Sequence, residues 1–221
     1  IYSLVVYIYG NAYSLYAVVA IQSLIAGWLL FRTLDLFLGT ARNGEKLALV
    51  AALSALTPLG FHAGFIMPDV FAGLFVLAAL NLIFDRALNR ADTLMMAALL
   101  ILSACMHSTI LPLGMVLVLS VLAVKCLPAL RGDVNASAAG WIAASLALAL
   151  AVSGAYKIGV EKATGEAVQN PPYLMARLIA DGTGTKYLQE HCGTQSFAAC
   201  AFRDTDYVDH NDFLWGGSGA A

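Results

Sequence analysis

Apolar residues run in long stretches through the first 157 positions, and short polar loops separate the stretches. A helix that crosses a bilayer needs about 20 mostly apolar residues, within a working range of about 17 to 25. Residues 13–38 meet that length, with only Arg32 and Asp35 near the end of the run. These two stand three positions apart, close enough to pair on one helix face. Further spans are expected at 47–66, at 69–84 (somewhat short) and at 139–156. The run 93–125 is about 33 residues long, with Pro112 and Gly114 past its middle, and a single helix across it would leave Arg90 and Lys125 on opposite sides. Proline lacks a backbone donor and favours a break, so two short helices meeting near Pro112 are expected there. With these two counted, the pattern predicts about six spans.

The loops order the spans. Those at 41–46, 85–92 and 125–133 carry Arg42, Lys46, Arg86, Arg90, Lys125 and Arg131, whereas the loops near Met67-Pro68 and at 108–114 carry no Lys or Arg. Such asymmetry marks the basic loops as the inner side. The first residue and the region after 157 are then expected outside, which in a bacterium is the periplasm.

Composition agrees with this division. The 221 residues are 60% apolar and 12% charged, against about 25% charged in ordinary soluble domains. A soluble enzyme and a disordered chain fit this poorly, and no basic patch suggests nucleic acid as a partner. Residues 1–157 hold 14 charged side chains and residues 158–221 hold 12. The fold class expected is all-α, a polytopic integral membrane helical bundle (1–157) with a small extracytoplasmic C-terminal region (158–221). The chain opens inside an apolar run, 1–9, and is read as a piece of a longer protein.

In the C-terminal region a helix is expected at 172–180, with proline in its first turn and Asp181-Gly182 as its stop. A second is expected at 185–191, capped by Thr185. Tyr173, Leu174, Leu178 and Ile179 are expected to form one apolar stripe. Cys192 and Cys200 stand eight positions apart, where an oxidising compartment permits a bridge; two free thiols are the alternative. Asp204, Asp206, Asp209 and Asp212, with His210, form an acidic run that lacks the glycine and closing glutamate of a calcium loop. It reads as a solvated surface, and no His/Cys set has zinc spacing.

Ionisable groups inside membrane segments are costly and are therefore functional candidates. His62, Asp69 and His107 all fall near the outer helix ends in this topology. Asp69 follows Pro68 at a helix start, where a carboxylate also suits the helix dipole, and the two histidines could equally be satisfied within the core.

The segments Thr57-Pro58-Leu59-Gly60-Phe61-His62 and Met67-Pro68-Asp69-Val70-Phe71-Ala72-Gly73-Leu74, with the helix pair around His107, resemble the GT-C superfamily of membrane glycosyltransferases. That superfamily includes protein mannosyltransferases and lipid A aminoarabinose transferases. The resemblance implies transfer of a sugar from a polyprenyl-phosphate donor to an acceptor at the outer leaflet. Asp69 would orient or deprotonate the acceptor hydroxyl. His62, His107 and Arg177 would hold the leaving phosphate, a role a divalent metal is also left open to share. The expected partners are thus a polyprenyl-phosphate-linked sugar and membrane lipid. The competing class is a non-enzymatic polytopic protein, either a transporter subunit or an assembly scaffold.

Overall fold

In a computed structural model of the chain, residues 14–39, 41–66, 68–107, 109–127, 134–135, 137–165, 173–194, 198–203 and 209–215 are described. Among them the protein is all-helical. Seven helices make up most of the body: α1 (Leu15–Phe37), α2 (Asn43–Leu56), α3 (Leu59–Gly64), α4 (Val70–Phe84), α5 (Arg90–Met106), α6 (Ile110–Cys126) and α7 (Ala138–Thr164). Three more follow, α8 (Tyr173–Ala180), α9 (Thr183–His191) and α10 (His210–Trp215), with a 3-10 turn at Ala198–Phe202. The chain divides into two units, 1–158 and 159–221, with the division inside α7.

Two helices, α1 and α7, are long and apolar enough to cross a membrane by length and composition. Helices α4 and α6 are equally oily but hold 15 and 17 residues, or about 22 and 25 Å at 1.5 Å per residue. A core helix of a soluble protein is mostly buried, yet only 28% of α1 and 33% of α7 is buried in their most apolar stretches. Leu24, Leu119, Leu148 and Leu150 all face outward.

Side-chain contacts set the helix directions in the first unit. Gln22 in α1 donates to the carbonyls of Ala63 and Phe65, just before α4. Near its other end, α1 places Thr33 against Asn81 and Arg32 against Asp85. Helices α1 and α4 therefore run the same way, and α5 returns after a short loop. Ser145 donates to Ala97 O at 3.5 Å, and Cys105 donates to Ala149 O at 3.7 Å, so α7 runs with α5. The start of α7 is tied to the end of α4, where the Asn135 N–H donates to Ile83 O. Helix α6 starts beside the start of α4, where His107 and Thr109 meet Asp69, and so runs with it; a Cβ on Gly114 would meet Leu146 of α7 at 2.7 Å and Phe75 of α4 at 3.1 Å. A residue with a Cβ there would require the tips of the Leu146 and Phe75 side chains to move. The core between the helices holds Leu29, Leu74, Phe75, Met96, Leu100 and Ile142.

This alternation gives the unit two ends of different chemistry. Arg42, Lys46, Arg86, Arg90 and Lys125 gather at one end with Arg32, Asp35, Asp85 and Asp92. His62, Asp69 and His107 lie at the other.

Four sequence expectations for the first unit are corrected. The run 47–66 is not one helix. Thr57 is extended (φ −124°, ψ 165°), as a residue before proline prefers, and Pro58 starts the separate α3. The break in 93–125 falls at residues 107–109 rather than at Pro112, which sits third in α6. There it has no carbonyl one turn back to bond, so proline is tolerated. Arg32 and Asp35 do not pair. Arg32 bonds Asp92 at 2.8 Å and lies 3.6 Å from Asp85, while Asp35 accepts from Lys46. The last helix of the body runs on to Thr164, past the expected end at 156.

In the second unit, α8 buries Ala176 and Ile179 against Leu188 of α9 and Phe213 and Leu214 of α10. Phe202 and Phe213 meet edge to face. The apolar stripe is split: Ile179 points inward, whereas Tyr173, Leu174 and Leu178 face outward. Gly182 turns the chain at φ +78°, a left-handed conformation that glycine adopts freely, and α9 begins directly after it. Thr185 therefore lies inside α9 and is not its cap. Cys192 and Cys200 form a disulfide with Cα atoms 5.6 Å apart. Pro171, Pro172, Asp204 and Asp206 lie outside the described residues. Asp209 accepts from the Asp212 N–H at 2.8 Å and so caps α10.

Candidate functional site

The break after α5 builds the site. The chain leaves the helix at His107, whose backbone is extended (φ −138°, ψ 117°) and whose N–H still donates to Ser103 O. Two residues later Thr109 opens α6, and the Ile110 N–H closes the turn on His107 O at 3.2 Å. Imidazole and hydroxyl thus stand on either side of a tight corner. Asp69 comes to the same corner from the start of α4.

As the cap residue of α4, Asp69 is placed to satisfy that helix with its carboxylate, but the carboxylate makes no capping hydrogen bond. It turns instead to His107. Nε2 of His107 lies 3.0 Å from Asp69 Oδ1, and Thr109 Oγ1 lies 2.7 Å from His107 Nδ1. A carboxylate only accepts, so Nε2 carries the proton. In the neutral imidazole Nδ1 is then a lone pair, and the Thr109 hydroxyl donates to it. Asp69 and His107 retain 48% and 24% side-chain exposure, so the carboxylate is open to a partner at its second oxygen. A charge-assisted hydrogen bond of this kind holds the carboxylate in one orientation.

The other candidates have contacts of their own. His62 lies on α3 at the same end, exposed, with its ring edge-on to Phe61 at 5.7 Å. Arg177 belongs to the second unit, where its guanidinium is 3.2 Å from Asp181. Thr109 escaped the sequence reading. Its signal was a hydroxyl two residues beyond a histidine, and that signal is visible only once the helix break is placed at 107–109 rather than at Pro112.

At the opposite end the ionisable groups are tied together. Arg32 of α1 is shared by Asp85, after α4, and Asp92 of α5, and Asn89 adds a bond to Asp92 at 3.1 Å. Lys46 of α2 is 5% exposed and reaches Asp35 of α1. Gln22 and Asn81 are buried amides between these ends. Gln22 bonds the carbonyls of Ala63 and Phe65, and Asn81 bonds Thr33 and the Leu77 carbonyl.

Among the described residues, no three His, Cys, Asp or Glu side chains are placed to share a metal ion. Comparison of the chain with family models, curated proteins and solved structures finds no match.

Proposed function

We propose that the chain is the membrane-embedded part of a glycosyltransferase that moves a sugar from a polyprenyl phosphate to an acceptor at the outer leaflet. In this reading the helices of the first unit form a polytopic bundle in a bacterial inner membrane. The end rich in Arg and Lys faces the cytoplasm, as the positive-inside rule requires. The outward apolar surfaces of α1, α6 and α7 then face lipid. The Cys192–Cys200 disulfide fits a C-terminal region in the oxidising periplasm.

The observation that carries the reading is the Asp69–His107 pair at the end away from the loop cations. His107 occupies Oδ1 and so directs Oδ2 toward an incoming hydroxyl, whose proton it accepts as the acceptor oxygen attacks the sugar. This changes the role given to His107, which becomes the partner of Asp69 rather than a phosphate ligand. His62 is then the imidazole at this end for the departing phosphate. Arg177 would have to exchange Asp181 for phosphate to take part.

The test is transfer of a labelled sugar from a short-chain polyprenyl phosphate by membranes containing the protein and its Asp69→Asn variant. Asparagine keeps the shape and the bond from His107 but cannot take a proton. Loss of transfer in the variant supports the assignment. Full transfer removes Asp69 from the mechanism, and absence of transfer in the unaltered protein leaves the non-enzymatic class standing.

A further inference from the structure

The hydroxyl of Thr109 extends the Asp69–His107 pair into a three-membered relay. Oγ1 is 2.7 Å from Nδ1, and Nε2 is 3.0 Å from the carboxylate. This order, hydroxyl to imidazole to carboxylate, is the connectivity that turns a weak alcohol into a nucleophile. The alcohol loses its proton to the ring as it attacks, and the carboxylate stabilises the imidazolium that results. Thr109 is exposed, so an incoming electrophile can reach it. It also precedes the first residue of α6, where the positive end of the helix dipole favours developing negative charge on the oxygen.

The surroundings indicate what kind of electrophile. Leu113 and Val116 stand four and seven positions after Thr109 on α6, which places them on the same helix face. Both are exposed. A hydrocarbon chain laid along α6 from Thr109 would meet an apolar surface.

We propose that Thr109 is a nucleophile toward carboxylic esters of amphiphiles, with His107 as its base and Asp69 as the carboxylate behind that base. Oγ1 bonds to the ester carbonyl carbon while its proton passes to His107 Nδ1. The carbon–oxygen bond to the alcohol breaks, and the departing oxygen takes that proton from Nδ1. Water, or a second alcohol, then attacks the acyl-threonine. Its proton travels through Nδ1 back to Oγ1, and the enzyme is restored. This goes beyond the sugar-transfer reading, in which Oδ2 of Asp69 takes the proton and Thr109 does no more than hold the ring of His107.

The experiment uses the full chain in lipid nanodiscs, a fluorophosphonate probe, and peptide mass spectrometry to locate the adduct. Phosphonylation with loss of fluoride is expected on Thr109. Thr109→Val should abolish the adduct, Thr109→Ser should label at least as fast as the parent, and His107→Gln and Asp69→Asn should each slow labelling at least tenfold. A second readout is hydrolysis of a p-nitrophenyl ester, expected to be faster with a decanoyl than with an acetyl chain and lost in Thr109→Val. An unlabelled Thr109 in the parent overturns the proposal, as does labelling that His107→Gln leaves unchanged. The two readings of the site separate in the parent protein, where labelling of Thr109 reports ester chemistry and sugar transfer reports the first reading. Thr109→Val removes ester chemistry but keeps the Asp69 carboxylate, so sugar transfer surviving in that variant bears on the first reading alone. Failure of the probe to label leaves that reading intact.

Discussion

The two ends of the helical unit use the same elements, carboxylates facing cationic or protonatable partners, and arrange them for opposite purposes. At the charged end the ion pairs of Arg32 and Lys46 join different helices. Arg32 is held between Asp85 and Asp92, and Lys46 is buried on Asp35. Those side chains are consumed by one another. At the polar end Asp69 is about half exposed, and Thr109 lies open beside the ring of His107. A carboxylate matched within the scaffold fixes helices. One matched on a single oxygen and open on the other keeps the capacity to react. In the proposed reading the charged end braces and the polar end reacts, although aspartate serves at both.

The contrast is broken most directly by exchanging one charge at each end. Asp69→Asn should lower sugar transfer about a thousandfold, within the usual range for loss of a general base. Its unfolding free energy should fall by less than about 1 kcal/mol, as for other exposed polar sites. Arg32→Met should do the reverse, since it leaves Asp85 and Asp92 facing each other without their shared cation. A fully buried pair broken this way costs about 3–5 kcal/mol. With these carboxylates 20% and 28% exposed, about 2 kcal/mol is expected. Both values come from denaturant unfolding of the full chain in mixed micelles, followed by helical circular dichroism. Equal destabilisation by the two substitutions would mean that Asp69 is another brace, and the division between the ends would fall.

Much of this was legible in the chain and some was not, and the split follows the range of the forces involved. Apolar runs and loop charges are local, and they marked the helical body, the segregation of cations and the cysteine pair. The partners of Arg32 are not local. The three-residue spacing to Asp35 favours a pairing within α1, but a helix packed alongside offers Asp92 at 2.8 Å, and the tertiary partner wins. The helix breaks misled for a related reason. Pro112 is an obvious breaker, yet the first turn of a helix has no use for its missing N–H, so the actual corner lies upstream at residues that carry no breaking signal. Misplacing that corner by a few residues hid Thr109. Asp69 and His107 were visible as isolated oddities in an oily run, but their hydrogen bond joins positions 38 apart and needed the fold.

The smallest expected effect sharpens the comparison, because it concerns a brace located at the reactive end. Gln22 is buried, and its amide donates to Ala63 O at 2.8 Å and Phe65 O at 2.6 Å, fixing α3 against α1. Here the polar end is held by neutral hydrogen bonds where the charged end uses ions. Gln22→Leu fills similar space but leaves the Phe65 carbonyl without that donor, whereas Ala63 O still accepts from Ser23 at 3.1 Å. One partly buried acceptor stripped of its partner costs about 1.5 kcal/mol, so a loss of that size is expected in the same unfolding measurement. Sugar transfer should change by no more than about threefold, since Asp69 and His107 are bonded to each other and not to Gln22. A far larger drop in transfer would show that α3, with His62 and the exposed Phe61, is part of the reacting surface rather than a strut beside it. The boundary between brace and site would then have to be drawn inside the polar end.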